Sequence, residues 1–417
     1  MTILKIAPIG QLCTLDDKWE SSSAESGMKG LGVIRDGAIV VEGEKIVWTG
    51  AYSDLPPEYK DAEHTIDARY RAVVPSLIDC HTHTVFSGTR VDEFDRRLRG
   101  ESYIEIMNAG GGIRSTVKKT REATAEKLFM NAKKNLDFMK FLGVTTVEIK
   151  SGYGLVTEAE LKILRVIHRL QEECAIEIVS TFLGAHAFPA EYVNRKEDYV
   201  SLIVERMLPL VKEEGLAEFC DIFLEEGAFN YEQAVEIFTA AKNLGFKLRV
   251  HANQLSPGDG VKLAAKFGAL SADHLEYSTP DDIKTMKKCD IVAVLLPGAA
   301  LTLREKKKPP VREMIEEGVA VALATDFNPG SSPTAHLPLC MTLACTLYDL
   351  YPSEALKAVT LNAAKALDRG ERIGKLAPGY DADILILETH DYRDLVYRFP
   401  AQIARILIKK GRIIQQN

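Results

Sequence analysis

A chain of 417 residues, 46% hydrophobic and 27% charged, has the composition of a soluble globular protein. It is long enough for a (β/α)8 barrel of about 250 residues plus a smaller unit. The net charge of −7 argues against nucleic acid or an acidic membrane as partner, although a local basic pocket can still take an anion. No secretory signal is legible at Met1-Thr2-Ile3-Leu4-Lys5, and the longest apolar run, residues 291–303, is too short to span a bilayer. Seven scattered cysteines form no C-x-x-C pair, so a reduced, cytoplasmic protein is expected.

Residues 32–35, 37–41 and 45–49 read as short strands, with Glu42-Gly43-Glu44 as a turn. From residue 74 the pattern changes. Eight short apolar runs (74–80, 144–149, 176–183, 220–224, 246–250, 269–272, 291–296 and 319–324) alternate with charge-rich amphipathic stretches. Near-continuous apolar runs suit parallel strands buried on both faces. Helical patterns lie between them at 125–141, 158–173, 199–213, 231–243 and 310–317. Gly143, Gly215, Gly245, Gly268 and Gly318 each precede the next strand, where a left-handed helix cap is needed. Eight β-then-α units in series predict an α/β protein with a (β/α)8 TIM barrel; an open doubly wound sheet is the alternative. Residues 379–387 and 404–414 return to strands with glycine-centred turns. Neither end could bury a core alone, so a small composite β-sandwich built from both termini is expected. The expected divisions are 1–73, 74–370 and 371–417. Residues 101–124 form an insertion whose run Ala109-Gly110-Gly111-Gly112 is either a plain flexible loop or a lid above the barrel mouth.

The first apolar run leads into His81-Thr82-His83. Residues i and i+2 of an extended strand point to one face, so both imidazoles can reach one ion, although such a pair can also merely close a strand. Barrel enzymes place their sites at the carboxyl ends of the strands. Of nine histidines, His81, His83, His186, His251 and His274 fall at such ends, joined by Asp326, while His64, His168, His336 and His390 do not. Clustered polar groups on one rim are hard to explain without a ligand. His81, His83, His251 and Asp326 would hold one metal and leave a position open for water, the mark of a catalytic site. Such an ion brings the pKa of bound water to about 7. His274 is expected to polarise a substrate carbonyl, and Asp326 to move a proton from water to the leaving nitrogen.

This pattern resembles the amidohydrolase superfamily in its mononuclear form. Within it, Gly100-Glu101-Ser102-Tyr103, residues 109–116, Glu148 to Gly154, Gly184-Ala185-His186 and Thr325 to Gly330 resemble the imidazolonepropionase family, over about residues 74–370. The resemblance implies hydrolysis of 4-imidazolone-5-propanoate to N-formimidoyl-L-glutamate, with one divalent zinc or an iron ion per subunit and a homodimer as the plausible assembly. It further implies that Arg90, Tyr103, Tyr153 and His186 hold the substrate and that Asn328, Gly330 and Ser331 contact substrate or product. Arg90 suits the propionate carboxylate as a bidentate partner, although Asp92, Glu93 and Asp95 offer it surface alternatives.

One position departs from many mononuclear relatives, which carry a glutamate three residues after the strand-five histidine. Here it is Gln254, which cannot exchange a proton but can hydrogen-bond the ring, so acid–base work falls on Asp326 and His274. The glutamine also disfavours a deaminase, the main alternative enzyme. A non-catalytic relative would lack ligands, and none is missing here. Lys150 is the sole strand-end lysine able to bridge a second ion, and it lies on strand two, so a single metal is favoured.

Overall fold

The computed structural model describes residues 2–22, 30–101, 105, 109–399 and 401–417. Its strands fall into two eight-stranded sheets. The N-terminal segment contributes β1 (Ile3–Cys13), β2 (Val33–Glu42), β3 (Lys45–Ala51), β4 (His64–Ile66) and β5 (Ala72–Pro75) to the first. Eight parallel strands in sequence order make the second: β6 (Leu77–Asp79), β7 (Val144–Lys150), β8 (Glu177–Ala185), β9 (Phe219–Leu224), β10 (Lys247–Ala252), β11 (Ser271–His274), β12 (Val292–Leu295) and β13 (Val321–Leu323). The C-terminal segment then returns β14 (Ile384–Leu387), β15 (Ala404–Lys409) and β16 (Arg412–Gln416) to the first sheet, in the order β16-β15-β14-β5-β1-β2-β3 with β4 beside β1. The composite unit has its own buried cluster, in which Ile6, Ile9, Leu12, Ile39 and Val73 meet Ile384, Ile386 and Ile408.

The apolar run at 74–80 is not one barrel strand. It is divided between the sheets: Pro75 pairs with Ile384 in the composite sheet, and Leu77 begins the barrel by pairing with Val144. Ser76 makes the crossing, its N–H donating to the Asp383 carbonyl. Apolar character alone cannot tell which of two adjoining sheets a short strand joins. The long central strand β1 was not legible either, because Pro8 and Gly10 interrupt its alternation.

Helices cover the barrel as the periodicity predicts over Ala125–Phe141, Thr157–Glu173 and Tyr231–Asn243. Thr124 caps the first through Lys127 N–H, and Asn230 with Gln233 forms a capping box on the third. The pattern at 199–213 falls in an uninterrupted helical run over 196–213 that contains a π segment at Ile203–Met207. Gly143, Gly215, Gly245, Gly268 and Gly318 all have positive φ, as the helix stops require. The insertion contains the helix Ile113–Glu122, entered at Gly112 with φ 70°. Among the described residues no helix is long and apolar enough to cross a membrane.

Barrel closure bears directly on the site. The segments that follow β6 and β13 meet through a parallel bridge between Thr82 and Phe327. Asp326 N–H donates to the His81 carbonyl at 3.0 Å, and His83 N–H to the Phe327 carbonyl at 2.9 Å. Below them Asp79 accepts from Thr325 N–H at 3.1 Å and Thr325 Oγ1 at 2.6 Å. The seam therefore pins the His81–His83 segment against Asp326.

Candidate metal centre

The expected ligands converge at the carboxyl ends of the barrel strands. His81, His83 and Asp326 offer ligand atoms within 4.8 Å of one another, and so do His81, His251 and His274. The two groups share His81, and all five side chains are buried. His81 Nε2 and His83 Nε2 each lie 3.5 Å from Asp326 Oδ1. His274 thus belongs to the cluster as closely as His251 does. Asp326 and His274 have φ of 51° and 82°, a conformation uncommon outside glycine that gathers at functional sites.

Carboxylates behind the cluster orient the rings. Asp273 Oδ2 lies 2.6 Å from His81 Nδ1, and Asp221 Oδ2 lies 3.1 Å from His251 Nδ1. The first is a hydrogen bond that occupies Nδ1 and leaves Nε2 toward Asp326, the arrangement metal-binding histidines adopt; the second is a charge contact without hydrogen-bond geometry. His81 Nε2, His83 Nδ1, both ring nitrogens of His251 and His274 Nδ1 have no hydrogen-bond partner among the described residues. Buried polar atoms without partners are destabilising, and a set of imidazoles with one carboxylate suits a divalent ion. The donor set therefore fits a metal.

The charges around the cluster agree. Burial, reinforced by Lys150 at His81 and by neighbouring imidazoles at His83 and His274, holds these rings well below the usual histidine pKa, so they are neutral and able to ligate. Burial pushes the Asp326 carboxyl up to about 7, against the pull of His251 and Asn328. Burial opposes ionisation of Asp221 as well, but His251 and Lys150 hold it far below the carboxylate range. Lys150 Nζ is 2.9 Å from Glu148 and 2.8 Å from Asp221. Burial and Arg249 disfavour its charge, yet Asp221, Glu148 and Asp273 outweigh them and raise its pKa. A lysine held charged by these acids is unsuited to bridging a second ion.

A cavity of about 750 Å³ opens above the cluster. Arg90, Tyr153, His186 and Gln254 line it, together with Asn328, Gly330 and Ser331. Tyr103 lies outside the described residues. His186 stacks on His83 at 5.0 Å between ring centroids and 15° between planes, its Nδ1 3.0 Å from the Gly152 carbonyl. Burial and His251 lower its pKa to about 3. Arg90 Nε donates to Glu93 at 2.9 Å, and Glu93 also accepts from Gly112 N–H at 3.0 Å, at the end of the glycine run. Gly330 is where Arg90 lies: a Cβ there would come within 1.9 Å of Arg90 Nη1. The Asn328 side chain folds its own loop, accepting from Gly330 and Ser331 N–H and donating to the Asp326 carbonyl and Ser331 Oγ.

Glu93 is the neighbour that the sequence already offered to Arg90, whereas strand ends alone do not point to Asp79, Glu148, Asp221, Asp273 or Arg249. A signal existed. Most of these are charged residues inside otherwise apolar strands, as in Cys220-Asp221-Ile222 and Val147-Glu148-Ile149, and charged residues are rarely fully buried without partners.

The model of the amidohydrolase family matches residues 72–414. Imidazolonepropionase from Alkaliphilus oremlandii is 43% identical over 414 residues, covering 99% of this chain and 98% of the relative. The Clostridium tetani imidazolonepropionase is 47% identical over 391 residues, covering 94% and 93%. The chain belongs to the amidohydrolase family, in its imidazolonepropionase branch. Its fold is similar to that of a solved mutant atrazine chlorohydrolase of Arthrobacter aurescens complexed with zinc and atraton: TM-score 0.71, 17% identity, coverage 99% and 95%. The seam that ties His81 and His83 to Asp326 lies at the carboxyl ends of the strands, the end at which barrel enzymes build their sites.

Proposed function

We propose that the chain hydrolyses the ring C–N bond of 4-imidazolone-5-propanoate to N-formimidoyl-L-glutamate, the imidazolonepropionase step of histidine breakdown. The observation that carries this reading is its likeness to curated imidazolonepropionases over nearly the whole chain. The cavity supports it, because a cation for a carboxylate and a cluster of imidazoles line one space.

Zinc or iron held by His81, His83, His251 and Asp326 would supply Lewis acidity, lowering the pKa of water and polarising the carbonyl. The chain's residues do the rest. Arg90 fixes the propionate through its guanidinium, whose outer nitrogens are not engaged by Glu93. Tyr153 and His186 wall the ring, and Gln254 hydrogen-bonds it without changing protonation. His274 hydrogen-bonds the carbonyl oxygen. Asp326 accepts a proton as water attacks that carbonyl and returns it to the ring nitrogen as the C–N bond breaks. Asn328 and Ser331 shape the loop beneath Arg90, and Gly330 leaves room for the guanidinium.

The test is turnover of imidazolone propionate by purified protein loaded with zinc or with iron, with formation of N-formimidoyl-glutamate. Chelation should abolish turnover and leave the circular dichroism unchanged. No turnover with either metal, or turnover indifferent to chelation, overturns the proposal. A homodimer in the cytoplasm belongs to the same reading and is read by light scattering and cell fractionation.

A further inference from the structure

Beyond the cavity wall, Glu225 follows the last residue of β9 and is buried, at 6% exposure. Its carboxylate is engaged by the loop that leaves β10. Oε2 accepts from Gln254 N–H at 3.1 Å and from Leu255 N–H at 2.9 Å. Oε1 accepts from Ser256 Oγ and from Glu226 N–H, the latter at 3.0 Å. The two N–H groups on Oε2 belong to the peptide planes on either side of Gln254, so one oxygen sets the orientation of both. Just before them Asn253 takes φ 52°, a left-handed turn that reverses the loop immediately after the strand carrying His251. The left-handed region is disfavoured for residues other than glycine and persists where the surroundings over-determine it. Tyr277 N–H holds the Asn253 carbonyl at 2.9 Å, and Glu225 holds the three residues that follow, where a carboxylate accepting several N–H groups is a strong, directional anchor.

We propose that Glu225 is a positioning residue: it holds the 253–256 turn and thereby aims the Gln254 amide into the cavity. The inference rests on the reading of Gln254 as a substrate contact. It does not require that Glu225 touch substrate. A group acting this way works through its reach rather than its charge. Glutamine keeps the reach and presents its amide oxygen to the two N–H groups, with its NH2 toward Ser256 Oγ; it gives up only the bond from Glu226 N–H, which lies outside the 253–256 turn. Aspartate keeps the charge but withdraws the carboxylate by one methylene.

The experiment compares the metal-loaded enzyme with Glu225→Ala, Glu225→Asp, Glu225→Gln, Gln254→Ala and the Glu225→Ala/Gln254→Ala double variant. Readouts are kcat/KM for imidazolone propionate, bound metal, and amide exchange of the peptide spanning 253–256. Glu225→Ala and Glu225→Asp should lose about ten- to a hundredfold in kcat/KM while keeping their metal, the scale seen when a supporting contact is removed. Glu225→Gln should stay within about threefold of wild type. In the Gln254→Ala background, Glu225→Ala should add less than about twofold, because residues acting as one unit are not additive. Exchange at 253–256 should speed up in Glu225→Ala and not in Glu225→Gln. Additive losses, an active Glu225→Asp beside an inactive Glu225→Gln, or unchanged exchange would each overturn the inference. If Glu225→Ala does not accumulate folded, the Asp and Gln pair decides by the same criteria. Failure of the wild-type protein to turn over imidazolone propionate would refute the proposed function instead, and the exchange comparison would still decide the role of Glu225.

Discussion

Gly330 and Arg90 show how far a single missing methyl reaches. The guanidinium crosses the space a Cβ would fill, and the atoms in the way are the end of a flexible side chain, not backbone. Gly330→Ala should therefore displace Arg90 without unfolding the protein. KM for imidazolone propionate is expected to rise about tenfold or more, as for Arg90→Ala, with the thermal midpoint nearly unchanged. An analogue lacking the carboxylate should respond little to either substitution, since both remove the same interaction. Steady-state kinetics on the two substrates check this; equal losses on both would mean that another residue reads the carboxylate. Asp326 gives the second prediction at this scale. Asp326→Asn should retain some metal yet lower kcat at least about a hundredfold, the scale of general acid–base catalysis. Near-normal kcat in the loaded variant would shift proton transfer to His274.

Among the strands, the acids behind the imidazoles are not equivalent. Asp273 joins three elements, accepting from Arg249 of β10 at 2.9 Å and from Ser271 of β11 at 2.6 Å while it orients His81 beyond β6. Asp221 of β9 shares Lys150 with Glu148, so its loss leaves that ammonium partnered. Both Asp221→Asn and Asp273→Asn should weaken metal affinity by about ten- to a hundredfold, read by competition with a chelator. Their stabilities should differ. Asp273→Asn strips the fully buried Arg249 guanidinium of its ion-pair partner, and breaking a buried pair in this way destabilises by about 3–5 kcal/mol. Asp221→Asn should cost clearly less in a denaturant melt. Equal losses would show that Glu148 does not support Lys150 alone.

At the scale of the molecule, the barrel's other end is tied to the composite sheet by charge. Glu177, at the start of β8, lies 3.1 Å from Lys409 of β15 and 3.1 Å from Arg369, and pairs with Arg372. Lys409 also reaches Asp383 at 2.7 Å. Burial works against its charge, but Lys409 and Arg372 lower the Glu177 pKa from 4.5 to about 2. A depressed carboxylate pKa stabilises the fold above the unfolded value, and that contribution disappears as pH falls from 4.5 toward 2. With Glu177 largely shielded, the contribution is on the order of 2 kcal/mol. Glu177→Gln should lower the thermal midpoint at pH 7 and flatten its decline between pH 5 and 3. A decline as steep as wild type would place the acid sensitivity elsewhere.

Periodicity, glycine stops and strand-end histidines made the barrel and its donors legible, because both depend on residue type and spacing along the chain. His81, His83, His186, His251, His274 and Asp326 stand at the ends of apolar runs, and parallel strands bring those ends to one rim. The composite unit was legible for the same reason: two ends too short for a core must share one. What the tertiary structure decided are relations between strands distant in sequence. The seam joining His81 to Asp326, Asp273 behind His81, Arg90 lying over Gly330 and Glu225 holding the Gln254 turn each pair residues dozens to hundreds of positions apart. The split of the 74–80 run between two sheets belongs with them. Spacing along the chain states which face a residue shares, but a hydrogen bond or close approach forms only after loop closure has brought two remote segments together.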